Sequence, residues 1–158
     1  MGYRVLMLDL DPQADLTRQF GVAETQIGMD ALLSFKDDAR DVILPLSEQL
    51  SLIASGPELH LFEQQTPSIK LGVKLKQLLT STIQSDADII LIDCAAISGL
   101  LGTNAVLAAS DMLIPVSAEH GALRGMIKML PVLQRVAKLR SDSIRLWLCL
   151  NRLPDGTD

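Results

Sequence analysis

Aromatic side chains are nearly missing from this sequence: one Trp, one Tyr and three Phe in 158 residues, although 48% of the chain is apolar. A core must therefore be built from Leu, Ile, Val, Ala and Met, the composition of parallel sheets covered by helices. Cysteine is scarce as well. Cys94 and Cys149 both lie inside apolar, strand-like runs, where a thiol reads as a small, reduced, buried hydrophobe rather than half of a disulfide or a metal ligand. No apolar run approaches the roughly 18 residues that cross a bilayer, and the N-terminus lacks the basic, apolar and small-residue zones of a signal peptide, so a cytoplasmic protein is expected. Basic charge is in deficit: the net charge of -5 gives no general electrostatic footprint for nucleic acid. His60 and His120 have no Cys, His or carboxylate at metal-ligand spacing, and no GxSxG elbow occurs, which ranks zinc sites and hydrolase triads low. None of the ten glycines is followed by the Lys-Ser/Thr pair that completes a phosphate-wrapping loop.

What is present is a set of short, continuous apolar runs: "RVLMLDLD" from Arg4, "LSLIAS" from Leu50, "DIILIDC" from Asp88, "MLIPVS" from Met112 and "RLWLCLN" from Arg145. They do not alternate with polar residues, the mark of strands covered on both faces. Helical patterns separate several of them. After Thr66 and Pro67, read as a cap and a first-turn proline, Leu71, Leu75, Leu78, Leu79 and Ile83 recur at the spacing of one helical face. A second stripe, Leu123, Ile127, Leu130, Leu133, Val136 and Ala137, predicts a helix from Ala122 to about Leu139, kinked by Pro131. Between residues 21 and 49 only "DALL" reads as a short helix, and "SFKDDARD" reads as a charged loop. Length predicts a single domain. Strands alternating with helices predict an α/β fold with a mostly parallel sheet and right-handed crossovers.

In such a sheet the ligand crevice lies outside the carboxyl ends of the strands. The residues there are Asp9 and Asp11, Ser55 and Gly56, Asp93, Ser117 with Glu119, and Asn151. Acids and an amide on one rim suit a magnesium nucleotide, because magnesium takes oxygen ligands and ordered waters. Asp9 and Asp11 project from the same side of a strand and repel unless a cation or donors lie between them. The plainer reading is that they mark a strand ending in a turn, with Pro12 as the breaker. Asp93 ends "IILID", the form of a strand whose terminal carboxylate holds magnesium through water, but an apolar run ending in Asp is common. Asn151 either bonds a base edge or caps the turn into "LPDG".

Taken together, these stretches resemble ParA-type partition ATPases, a branch of the MinD/ParA group of deviant Walker ATPases. "GYRVLMLDLDPQADLTRQFGV" is similar to the stretch after that family's first helix. "ADIILIDCAAISGLLGTNAVLAASDMLIPVSAEHGALRGMIKML" is similar to its Walker B segment with the strand and helix that follow, and "LIASGPELHLFE" to the piece between. The resemblance implies a P-loop NTPase-like α/β fold with helices on both faces of the sheet. It also implies ATP and Mg2+ as cofactors. Asp11 would orient the attacking water, Asp9 would support the magnesium shell, Asp93 would hold magnesium through water, and Asn151 would sit near adenine. The implied behaviour is dimerisation around ATP, DNA association without sequence preference, a ParB-type partner, and a cytoplasmic, nucleoid-associated location in plasmid or chromosome partitioning.

The chain also departs from that family. The family's glycine-rich loop lies upstream of "GYRVLMLDLDPQ", where this sequence has Met1, and the family continues past Asp158. The expectation is therefore the middle of such an ATPase, truncated at both ends, with ATP binding by this chain alone weak and with an unfilled place beside the strand that ends in Asp93. An unpaired interior edge of that kind predicts marginal stability and self-association. Cys94, Ala95 and Ala96 replace the family's prolines after the Walker B acid, which predicts a looser loop. Two other readings stand beside this one. A phosphoacceptor receiver domain shares the acidic cluster, but it requires a lysine where Asn151 and Arg152 stand, and roughly eighty residues separate Asp11 from Asp93. A non-catalytic interaction module is the other.

Overall fold

The computed structural model describes residues 2–34, 39–81, 83, 86–94, 98–117 and 120–151. The chain divides into two compact units, Met1–Ala108 and Ala109–Asp158.

In the first unit, strands β1 (Val5–Leu10), β2 (Ile43–Pro45), β3 (Leu50–Ile53) and β4 (Ile89–Cys94) form one sheet in the order β2-β3-β1-β4. β1 is the central strand: it pairs in parallel with β3 on one side and with β4 on the other, where Asp9 lies opposite Asp93. β2 was not foreseen. It runs antiparallel to β3 and is only three residues long, and Pro45, which cannot donate to a ladder, suits its place at the sheet edge. Every residue of β1 from Leu6 onward is buried. Leu6, Leu8 and Leu10 with Ile53 form one floor of the core, and Ile90, Ile92 and Cys94 pack against it. The helices over that floor are α2 (Met29–Ser34), α4 (Leu59–Glu63), α6 (Lys74–Ser81) and α7 (Leu100–Ala108), which contribute Leu32, Phe62, Leu75 and Leu101. α2 is the expected "DALL" helix.

Two local expectations are corrected. The single helix predicted after Pro67 is broken into α5 (Ile69–Gly72) and α6. Its cap is Ser68, whose Oγ accepts from Leu71 N at 3.2 Å, and not Thr66. At the break the fully buried Asn104 of α7 inserts its side-chain amide. Its Oδ1 accepts from Leu75 N at 3.0 Å and its Nδ2 donates to Leu71 O at 2.9 Å, so it bridges the donor and acceptor that a continuous helix would join to each other. Second, part of the charged "SFKDDARD" segment is helical, as α3 (Ala39–Val42). Residues 35–38 lie outside the described residues, as do Ala95 and Ala96 with their predicted loose loop, Glu119, Arg152 and the "LPDG" turn.

The second unit holds β5 (Asp111–Ser117) and β6 (Arg145–Asn151), paired in parallel, joined by α8 (His120–Ala137) with Pro131 inside it. A parallel pair requires such a crossover. Ile114, Leu133 and Val136 are buried, whereas Ile127 and Leu130 of the predicted stripe are exposed. Every residue of β6 is exposed, including Cys149. The expectation that Cys149 is a buried thiol is therefore corrected: β6 has one strand neighbour among the described residues, too few to cover it. Cys94 is partly buried and packs on the first unit's core, as expected.

No helix among the described residues is long and apolar enough to cross a membrane.

Candidate functional site

The parallel register of β1 and β4 brings Asp9, Asp11 and Asp93 to one rim of the first sheet. They differ sharply in surroundings. Asp9 is fully buried. Its Oδ2 accepts from both the amide (2.8 Å) and the hydroxyl (2.6 Å) of Thr17, and its Oδ1 accepts from Asp11 N at 3.1 Å. Both oxygens of Asp9 are thus occupied by protein donors, and the donors foreseen as one way of relieving the Asp9–Asp11 repulsion are the chain's own.

Asp11 follows the strand on a tight turn. Its Oδ1 accepts from Gln13 N at 2.9 Å, and its carbonyl accepts from Ala14 N at 2.9 Å. Ala14 closes this turn in the left-handed region, at φ 55°, and is the N-cap of α1 (Asp15–Gln19). A non-glycine residue there is strained by about 1–2 kcal/mol. The turn reading of Asp11 and Pro12 therefore holds as local structure, and it presents a half-buried carboxylate at the strand end.

Asp93 is exposed, at the tip of β4. Its carboxyl titrates above the ordinary carboxylate range. Partial desolvation is the main cause, followed by the negative charges of Asp9, Asp11 and Asp15. Burial, with Asp93 and Asp11 nearby, likewise raises the Cys94 thiol, so this cysteine is no ready nucleophile.

The third strand contributes through its loop. Ser55 is buried; its Oγ donates to Asp11 O at 2.8 Å, and its amide donates to Thr17 Oγ1 at 3.1 Å. Gly56 takes φ +92°, and a Cβ there would stand 1.9 Å from Asp30 Oδ1. The space is used by the buried Asp30 carboxylate, which accepts from the amides of Gly28, Ala31 and Glu58 and so locks α2 to the loop after β3. The N-terminus of α7 is likewise occupied from within: Glu63 accepts from Leu100 N and Leu101 N, both at 2.8 Å. A Cβ at Gly99 would strike Glu63 Oε1 at 1.7 Å. That helix end is therefore no anion site.

Thr17, Asp30, Glu63 and Asn104 were not singled out as site or support residues by sequence reasoning. Each has a partner in another segment, 8, 28, 37 and 29 positions away, and no spacing rule announces such bonds. Asn151 belongs to the second unit, where it ends β6 in register with Ser117. Both line a cavity of about 410 Å³ with Met126 and Met129 of α8.

The donor chemistry of the first unit's rim fits magnesium. No group of three or more His, Cys, Asp or Glu among the described residues is arranged to hold a metal alone. Asp11 and Asp93 offer hard oxygens, and magnesium commonly takes one or two carboxylates and keeps several waters.

Comparisons with known proteins bear on the family and the fold. The family model described as "AAA domain" matches residues 1–146. The sporulation initiation inhibitor protein Soj of Bacillus subtilis is 33% identical over 142 residues, covering 87% of this chain and 56% of its own length. The chain thus spans little more than half of that relative. Among solved structures, a plasmid partition protein from Borrelia burgdorferi superposes with a TM-score of 0.84 at 23% identity, over 99% of this chain and 69% of that one. A cobyrinic acid a,c-diamide synthase from Mycobacterium smegmatis, with bound ADP and magnesium, superposes with a TM-score of 0.83 at 25% identity, over 94% of this chain and 62% of that one. With the family match covering nearly the whole sequence and the acids standing on adjacent parallel strands of a P-loop NTPase-like sheet, this chain belongs to the ParA/MinD-type family of deviant Walker ATPases.

Proposed function

We propose that the chain carries the acidic side of the ATP site in a ParA-type ATPase of plasmid or chromosome partitioning. The observation that carries this reading is the register that sets Asp9 opposite Asp93 on β1 and β4 and leaves Asp11 on the turn beyond. Asp11 orients the water that attacks the terminal phosphate. Asp93 would hold magnesium through water, and a cation there would offset the like charges that, after desolvation, raise its carboxyl. Asp9 supports the magnesium shell indirectly, through the Asp11 amide. Magnesium, when bound, neutralises charge on the phosphates. Partners by this reading are a second ATP-loaded copy, DNA bound without sequence preference, and a ParB-type protein, in the cytoplasm and on the nucleoid. The names of relatives and solved structures support the partitioning role: Soj of Treponema pallidum is a chromosome-partitioning ATPase, and the Borrelia structure is a plasmid partition protein.

The test is Asp11→Ala in a form supplied with the family's first strand and glycine-rich loop, assayed at millimolar Mg2+-ATP with binding followed by calorimetry. Orienting the water acts on the transition state more than on ground-state affinity. Turnover should therefore fall by about a hundredfold while affinity stays within about threefold. Equal turnover in variant and parent would remove Asp11 from that role.

A further inference from the structure

We propose that Thr17 and Ser55 are positioning residues that fix Asp11 in its working place through Asp9. This rests on the reading of Asp11 as the water-orienting acid. The bonds form a closed circuit across the end of β1, the first turn of α1 and the end of β3. Thr17 Oγ1 donates to Asp9 Oδ2 at 2.6 Å and accepts from Ser55 N at 3.1 Å. Ser55 Oγ donates to Asp11 O at 2.8 Å, and Asp11 N returns to Asp9 Oδ1 at 3.1 Å. Asp9, Thr17 and Ser55 are all at most 1% exposed, so water cannot substitute for a lost partner without entering the core.

The circuit has a direction. Asp9 cannot turn its carboxylate, because each oxygen is engaged by a different segment, and one of them holds the amide of Asp11. Ser55 holds the carbonyl of the same residue. The peptide groups on both sides of the Asp11 Cα are therefore pinned to side chains of two other strand-end residues. Among the described residues, the Asp11 side chain itself is tied to its own turn, through Gln13 N. A carboxylate half-exposed at a strand end gains its aim from a fixed backbone, and a misplacement of about 1 Å in a catalytic group can cost about a hundredfold in rate.

Three variants of the full chain decide this: Thr17→Val, which keeps the shape and removes the hydroxyl; Thr17→Ser, which restores it; and Ser55→Ala. Amide hydrogen exchange and 13C carbonyl shifts at Asp11 are read by NMR on the chain itself, with Mg2+-ATP turnover measured beside Asp11→Ala in the form supplied with the family's first strand and glycine-rich loop. In Thr17→Val the Asp11 amide should exchange about tenfold faster or more, and kcat should fall about tenfold with KM within about threefold. Thr17→Ser should return both to parental values. Ser55→Ala should shift the Asp11 carbonyl resonance, and it keeps the question decidable should Thr17→Val fail to fold. Unchanged exchange and carbonyl shift at Asp11 in Thr17→Val and Ser55→Ala overturn the proposal. So does a kcat untouched by Thr17→Val while Asp11→Ala is inactive. Equal turnover in the parent and Asp11→Ala overturns the water-orienting reading instead, and the proposal's catalytic claim with it. The exchange data would then still report whether Thr17 holds the Asp11 backbone.

Discussion

β1 and β6 are written in nearly the same language, VLMLDL against RLWLCLN, yet β1 is buried at every residue from Leu6 on and β6 is exposed throughout. The difference lies in their neighbours. β1 has a strand on each side and lies under a layer of helices, whereas β6 has β5 as its one strand neighbour among the described residues. β4 falls between: it pairs with β1 only among the described strands, and its burial alternates, with Ile90 and Ile92 turned to the core and Ile89 and Leu91 outward. A continuous apolar run states that a strand can be covered on both faces. Whether it is covered depends on what else is packed there.

The comparison is broken or upheld first by truncating equivalent leucines. Leu8, 0% exposed in the first core, should cost about 2–5 kcal/mol on replacement by alanine, because a cavity adds to the lost transfer free energy. Leu148, 62% exposed on β6, should cost no more than about 0.5 kcal/mol by the same change. Urea melts of both variants measure this; a large loss at Leu148 would mean that the face of β6 is covered in solution, for instance by a second copy.

A smaller effect concerns strain, which a well-packed unit can hold and a thin one cannot. Ala14→Gly removes the steric penalty of a left-handed alanine and adds unfolded-state entropy, so a net stabilisation below about 1 kcal/mol is expected. A loss of stability would show that the Ala14 methyl, buried beside the Asp11 turn, contributes more by packing than its conformation costs.

The smallest effects should have opposite signs in the two units. Asp93 is raised, first by desolvation and then by like charges, so its favourable contribution is present at acid pH and is lost as pH rises through its folded pKa. Asp93→Asn should therefore raise stability near neutral pH and show no gain in acid. Asp111 is held well below the ordinary range by hydrogen bonds from Arg145, Trp147 and Ser110. Its contribution is present above the unfolded carboxylate pKa and is lost as pH falls through the folded one. Asp111→Asn should accordingly lower stability at neutral pH and converge on the parent in acid. Melting temperatures of both variants from pH 8 down into acid below the ordinary carboxylate range, as the depressed Asp111 requires, give the two signs. Parallel curves would mean that neither environment acts as described.

Much of the scaffold was legible in advance. The strands now labelled β1, β3, β4, β5 and β6 were each marked by a bounded apolar run, because a strand buried in a parallel sheet has no polar face to interrupt it. β2 was not marked, since three edge residues carry no period. The break between α5 and α6 was invisible because it depends on Asn104, which arrives from another helix.

The acids follow the same division. Chain order and residue type placed Asp9, Asp11 and Asp93 at strand ends, since polar residues begin where a buried strand stops. The tertiary structure alone decided that Asp9 faces inward onto Thr17 and is spent on holding Asp11, while Asp93 stays exposed among like charges. It alone decided, too, that Cys149 meets solvent. Period and residue type are properties of neighbours along the chain, whereas a carboxylate's role and a thiol's burial depend on which distant segments supply donors or cover, and these meet only when the chain has folded.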